Sequence, residues 1–91
     1  MGYTVITGAC GGLGKAFVEL LAAQGEKMLL LGRDAARLTA LCNEVQASYG
    51  VTPLSYALDL TELSQRQAFD RYLTENRLQI KRLINVAGAD I

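Results

Sequence analysis

The 91-residue chain has no histidine, no tryptophan, a single proline and two cysteines. Without histidine it lacks the side chain that most often serves as a general base or metal ligand near neutral pH. The two cysteines have no metal-ligand spacing and stand beside no obvious base, so we expect Cys42 to pack in the core and Cys10 to lie in a loop. No metal site and no acid–base pair is therefore predicted.

The chain also lacks an excess of positive or negative charge. Nine Lys and Arg residues balance nine Asp and Glu residues, and they are scattered along the chain. Nothing in this pattern indicates a nucleic-acid surface. No apolar run approaches the roughly 18 residues of a membrane-spanning helix, and the N-terminus has no signal-peptide pattern. We expect a cytoplasmic protein that binds neither nucleic acid nor membrane.

Glycine, by contrast, is concentrated in one place. The segment 7–14, TGACGGLG, holds four of the nine glycines. It follows Tyr3–Thr7, which is rich in β-branched and aromatic residues, and it precedes apolar residues at helical spacing. At a strand-to-helix turn, glycines let an anion approach the N–H groups of the first helical turn. The segment predicts a nucleotide phosphate site, the alternative being a tight connection without a ligand.

Two common glycine patterns do not fit this segment. The Walker pattern fails at Ala9, where it needs glycine, and at Ala16, where it needs serine or threonine; the G-x-G-x-x-G pattern fails at Cys10 and at Phe17. What fits is T-G-x-x-x-G-x-G, which resembles the cofactor loop of the short-chain dehydrogenase/reductase family. Through Gly11, the T-G-x-x-G-x-x-G pattern of the extended branch of that family fits as well.

The rest of the chain alternates strand and helix signals. Strands are predicted at residues 3–7, 27–32, about 53–58 and 82–86. Asp34 and Thr61 are the expected N-caps of the second and third helices, which end at Gly50 and near Asn76. The order βαβαβαβ implies an α/β fold with a parallel sheet and helices on both faces. The family resemblance implies a Rossmann-like fold with a four-stranded sheet of order 3-2-1-4.

The helices should each present an apolar side. These sides are expected to include Leu13, Phe17, Leu20 and Leu21 in the first helix, Leu38, Leu41, Cys42 and Val45 in the second, and Leu63, Phe69 and Leu73 in the third.

Arg33 follows the second strand, where the family distinguishes between its two cofactors. An acidic residue there would accept hydrogen bonds from a ribose 2′-OH, but Gly32 takes that place and Arg33 would pair with a 2′-phosphate. NADP(H) rather than NAD(H) is therefore the expected cofactor. Two alternatives remain open: a solvated arginine at a helix start, and a shift of one residue that would put Asp34 in this position.

Two further segments match the family. Asp59-Leu60 resembles its Asp-Val/Leu pair that contacts the adenine ring, although a capping or turn aspartate fits equally well. The segment 85–88, NVAG, resembles its N-N-A-G strand end, with valine for the second asparagine, and it favours the main branch over the extended one. The residues that the resemblance assigns to the cofactor are Thr7, Gly8, Cys10, Gly12, Leu13, Gly14, Arg33, Asp59, Leu60, Asn85, Ala87 and Gly88.

The catalytic residues of the family, a serine, a Tyr-x-x-x-Lys pair and a helical asparagine, are not found. None of the four tyrosines has a lysine four residues downstream. We expect residues 1–91 to form one NADP(H)-binding half-fold, the N-terminal portion of an oxidoreductase, which is not catalytic on its own. A truncated chain and a complete small protein both remain open, as do a non-catalytic nucleotide-binding module and a structural fragment that binds nothing.

A four-stranded half of such a sheet would leave its fourth strand at an edge. Residues 83–86 are short, apolar and uncharged, which favours pairing with another chain. We therefore expect self-association through this edge or through apolar helix faces.

Overall fold

The computed structural model describes residues 2–86, in which four strands alternate with three helices. The strands are Tyr3–Thr7 (β1), Met28–Gly32 (β2), Leu54–Ala57 (β3) and Ile80–Asn85 (β4), and the helices are Gly12–Ala23 (α1), Ala35–Tyr49 (α2) and Leu63–Glu75 (α3). None of the helices in these residues has the length and apolar character needed to cross a membrane.

The four strands form one parallel sheet of order β3-β2-β1-β4, as predicted. β1 is central: Ile6 is paired with Leu30 of β2 on one side and with Ile84 of β4 on the other. After β1 the chain continues to β2 and β3 on one flank of β1, and after β3 it crosses to β4 on the other flank. A crevice for ligands forms at such a reversal, at the carboxyl ends of the strands.

The two inner strands, β1 and β2, are buried on both faces of the sheet, which explains the uninterrupted apolar run of β2, whereas β4 is mostly exposed. Ile6 and Leu30 pack with Val18 of α1 and Leu38 of α2 on one face. On the opposite face, Val5, Leu29 and Leu31 pack with Phe69 of α3. Helices α1 and α2 therefore lie on one side of the sheet and α3 on the other.

Most predicted elements are confirmed, with shifted boundaries. β2 begins at Met28, and β3 is shorter than residues 53–58. β4 begins two residues early because Ile80 pairs with Tyr3 across a register irregularity. Asp34 caps α2 by accepting hydrogen bonds from the N–H groups of Ala36 and Arg37, at 3.0 and 3.2 Å.

The predicted N-cap of α3 is wrong. The cap position is Glu62, and the Thr61 hydroxyl instead donates to Asp59 Oδ1 at 2.7 Å. The expected apolar sides also need correction, because Leu13, Leu20 and Leu63 are more than half exposed. The buried residues of α1 are Gly14, Val18, Leu21 and Ala22, so its buried strip is rotated from the predicted one and shares only Leu21 with it.

At the amino ends of the strands, one carboxylate joins three elements. Glu26, in the α1–β2 connection, accepts hydrogen bonds from Lys81 Nζ at 2.8 Å, Arg82 Nη2 at 3.1 Å and the Thr4 hydroxyl at 3.3 Å. The hydrogen bond from Lys81, helped by the charges of Lys81 and Arg82, lowers the pKa of Glu26 from its ordinary value of 4.5. The cluster attaches β4 to the centre of the sheet.

Because the folded pKa of Glu26 lies below the unfolded one, the stabilisation is complete above about pH 4.5 and is lost as the pH falls through the folded value. We expect Glu26→Gln to lower the Tm at pH 7 and the deficit to shrink as the pH is lowered below about 4.5, as measured by circular dichroism. Glu44→Gln is the control, since its ion pair with Lys15 is exposed at both ends and should contribute little. A Glu26→Gln deficit that does not shrink at all as the pH falls below about 4.5 would contradict the assignment to the charge.

Candidate functional site

The β1–α1 loop lies at the carboxyl edge of the sheet, at the end of its central strand. Gly8 adopts a φ of 61°, in the left-handed region that favours glycine. The loop is closed by a hydrogen bond from Gly11 N–H to the Gly8 carbonyl at 3.1 Å and is attached to β2 by one from Ala9 N–H to the Leu31 carbonyl at 3.1 Å. The sequence thus builds a compact turn at the carboxyl end of β1.

Two glycines of α1 differ in what surrounds them. A Cβ at Gly14 would overlap the Gly8 carbonyl oxygen and lie 3.0 Å from Ala9 Cα, so only glycine lets the first helical turn rest on the loop. A Cβ at Gly12 would meet no protein atom within 4 Å. Gly14 is therefore required by the packing of the protein, whereas no contact within the described residues requires Gly12.

The first turn of α1 presents hydrogen-bond donors. The first intrahelical bond runs from Lys15 N–H to the Gly11 carbonyl at 2.8 Å, so the N–H groups of Gly12, Leu13 and Gly14 precede any partner within the helix. Gly11, at the cap position, has no side chain that could accept hydrogen bonds from these N–H groups, and the first turn carries no acidic residue. A helix start of this kind favours an anion electrostatically.

Thr7 connects the ends of β1 and β4. Its hydroxyl donates to Asn85 Oδ1 at 2.8 Å and accepts from Val86 N–H at 2.9 Å. Thr7 and Asn85, two of the residues that the family resemblance assigns to the cofactor, are therefore brought together although 78 positions separate them. Ala87 and Gly88 lie outside the described residues.

The second strand ends at the same edge. Arg33 is exposed just beyond β2, and Asp34 beside it is engaged as the cap of α2. A Cβ at Gly32 would meet only Leu38, at an ordinary 3.4 Å. The side chain of Asp34 is engaged in capping α2, whereas Arg33, directly after β2, takes no part in that cap.

Asp59 follows β3 and forms a turn. Its Oδ1 accepts from the Thr61 N–H at 2.9 Å as well as from the Thr61 hydroxyl. These hydrogen bonds, with a smaller contribution from Arg33, hold the pKa of Asp59 below its ordinary value. Leu60, beside it, is half-buried against the apolar cluster around Phe69. The structure thus supports the turn role of Asp59 directly and leaves its side chain at the carboxyl edge.

A cleft of about 170 Å³ opens between the loop and α2. It is lined by Cys10, Lys15, Arg37, Ala40, Leu41 and Glu44. Arg37 Nη2 donates to the Cys10 carbonyl at 3.1 Å, and burial raises the pKa of the Cys10 thiol despite the opposing charge of Arg37. Sequence reasoning missed Arg37, because its partner is the carbonyl of a residue 27 positions away.

Metal chemistry finds no support in this region. Within residues 2–86, no three His, Cys, Asp or Glu side chains come together in a group that could hold a metal ion. The polar groups of the site are backbone N–H groups, arginines, an aspartate and an asparagine. Such groups suit a phosphorylated organic ligand.

Comparisons with known proteins agree with this architecture. The sequence profile described as short chain dehydrogenase matches residues 3–91. The chain is 31% identical over 86 residues to a very-long-chain 3-oxoacyl-CoA reductase of Candida glabrata, covering 94% of this chain and 24% of that protein.

Two solved structures show the same fold. A short-chain dehydrogenase from Sphingobium yanoikuyae in complex with NADPH superposes with a TM-score of 0.78 at 31% identity, over 91% of this chain and 32% of the other. An alcohol dehydrogenase from Thermococcus sibiricus complexed with 5-hydroxy-NADP gives 0.80 at 28% identity, over 91% and 35%. The chain thus spans about a quarter to a third of the length of these relatives. The family profile matches nearly the whole chain, and the parallel 3-2-1-4 sheet and the glycine loop agree with it. The chain belongs to the short-chain dehydrogenase family.

Proposed function

We propose that this chain forms the NADP(H)-binding part of a short-chain oxidoreductase. The observation that carries the proposal is the start of α1, where the N–H groups of Gly12, Leu13 and Gly14 have no partner within the helix and a Cβ at Gly12 would meet no protein atom within 4 Å. A pyrophosphate in that space would accept hydrogen bonds from the first turn and gain from the helix dipole. Thr7 and Asn85, fixed by their mutual hydrogen bond, would flank it.

The preference for NADP(H) rests on Arg33. At the end of β2 no acidic side chain stands where it would bind the ribose hydroxyls, because Gly32 occupies the strand end and Asp34 is engaged as a helix cap. A guanidinium would pair with the 2′-phosphate, which a carboxylate would repel. Two relatives with the same fold are complexed with NADPH and with 5-hydroxy-NADP, which supports this choice for the present chain.

When bound, the cofactor supplies hydride exchange between its nicotinamide and a carbonyl or alcohol carbon of the substrate. Residues of this chain bind and orient it. Neither a Tyr-x-x-x-Lys pair nor a histidine is present to exchange the accompanying proton. We therefore propose that the 91 residues alone bind cofactor without turning over a carbonyl substrate.

The binding site is tested by titrating NADPH and NADH, following nucleotide fluorescence or heat. Gly12→Ala should weaken both nucleotides by about tenfold or more, because the methyl group occupies the phosphate space, while its Tm stays near that of the original chain. Gly14→Ala is the contrast: it should lose stability by about 1–3 kcal/mol, because the loop must move. Undiminished affinity in folded Gly12→Ala protein would refute the phosphate site.

Cofactor preference is tested by Arg33→Ala. A charge-assisted contact of about 1.5–3 kcal/mol corresponds to a roughly 10- to 150-fold preference for NADPH, which this variant should largely remove while leaving NADH binding unchanged. Arg71→Ala, an exposed arginine on the opposite side of the sheet, is the matched control. Equal affinities of the original chain for the two nucleotides would overturn the assignment.

We further propose that the 91-residue chain self-associates through β4. Within residues 2–86, β4 pairs with β1 alone, and Leu83 and Ile80 on it are 61% and 46% exposed. The formal net charge of zero provides little long-range repulsion between copies. Antiparallel pairing of two β4 strands across a two-fold axis would satisfy their outer backbone groups.

The test of assembly is sedimentation at increasing protein concentration. Leu83→Lys should shift the equilibrium toward monomer, because its side chain is exposed and a charge at an edge strand opposes pairing. Val86 is unsuitable for this test, since it is 3% exposed within the core. Leu20→Lys, which places a charge on an exposed face of α1, serves as the control. A monomer at high micromolar concentration before any substitution would rule out the proposal.

A further inference from the structure

Arg37 occupies an unusual position between α2 and the glycine loop. The side-chain cap of Asp34 fixes the first turn of α2, with Arg37 N–H itself one of the capped donors at 3.2 Å. From that turn the guanidinium reaches the Cys10 carbonyl at 3.1 Å. Within residues 2–86 this is the single side-chain hydrogen bond to residues 8–11.

The loop needs such a contact. It is rich in glycine, and glycine loses more conformational freedom on ordering than other residues. Its remaining hydrogen bonds are made by backbone groups, from Ala9 to Leu31 and from Gly11 to Gly8. The carbonyl of Cys10, near the middle of the turn, is held from outside only through Arg37 among the described residues.

The two arginines near the end of β2 have different surroundings. Arg33 acts electrostatically on Asp59, beyond β3, whereas Arg37 acts on Cys10, in the loop. A residue that pairs with the 2′-phosphate affects NADPH alone. A residue that holds the loop in its binding conformation changes the fraction of molecules that are competent to bind. It therefore changes the apparent Kd of every nucleotide whose pyrophosphate uses that loop by the same factor.

We infer that Arg37 is a positioning residue that preorganises the glycine loop for the pyrophosphate, acting through the Cys10 carbonyl and independently of the 2′-phosphate. This inference rests on the proposed nucleotide site. Arg37 would thus contribute to nucleotide affinity through its contact with the protein, without touching the nucleotide. Lys15 and Glu44, across the same cleft, pair with each other at 3.4 Å and leave the loop contact to Arg37.

The test uses Arg37→Met, which keeps an unbranched side chain but removes the donors, and Arg37→Lys, which restores one charged donor. Arg37→Met should raise the Kd of NADPH and of NADH by the same factor, roughly 3- to 10-fold, and leave their ratio unchanged. Arg37→Lys should recover part of the loss. Arg33→Ala should change the ratio, and Arg71→Met should change neither value.

Hydrogen exchange of the amides of residues 8–12 without nucleotide provides a second readout. Arg37→Met should exchange faster there than the original chain, with unchanged exchange in the central strand β1. If the original chain binds neither nucleotide, the proposed function fails, while the exchange measurement still tests the loop contact. Unchanged affinity and exchange in Arg37→Met, or a loss confined to NADPH, would overturn the inference.

Discussion

The close approach of Gly14 to Gly8 is the constraint on which the site depends. Because the first turn of α1 rests directly on the loop carbonyl, the helix start is held at the end of the central strand. A side chain at position 14 would push the helix away and separate its N–H groups from the crevice. The placement of these N–H groups at the crevice therefore follows from a packing requirement of the protein, not from any charged residue in the loop.

Short polar side chains also stand at the carboxyl ends of the strands. Thr7 joins β1 to β4, Asp34 orients the helix that follows β2, and Asp59 forms the turn after β3. Each is a short polar side chain that satisfies backbone groups where a strand stops. The same side chains that end the strands thus shape the rim of the crevice.

Local signals in the sequence predicted much of this. The apolar run of β2, the cap at Asp34 and the glycine at position 50 each act over a few residues, and all are confirmed. Tertiary features were less accessible: β4 begins early because of its pairing with β1, and Thr61 serves Asp59 instead of capping α3. Arg37 was missed because its partner is a backbone carbonyl 27 residues away, which no spacing rule reveals.

The position of β4 beside β1 has a consequence for the order of folding. β1, α1 and β2 are neighbours in sequence, so their contacts close short loops, whereas the bond from Thr7 to Asn85 spans 78 residues. During synthesis, one edge of the central strand therefore stays unpaired until almost the last described residue has been made. Throughout that interval Val5 and Ile6 lie beside an open strand edge, and the nascent chain is most exposed to pairing with a wrong partner.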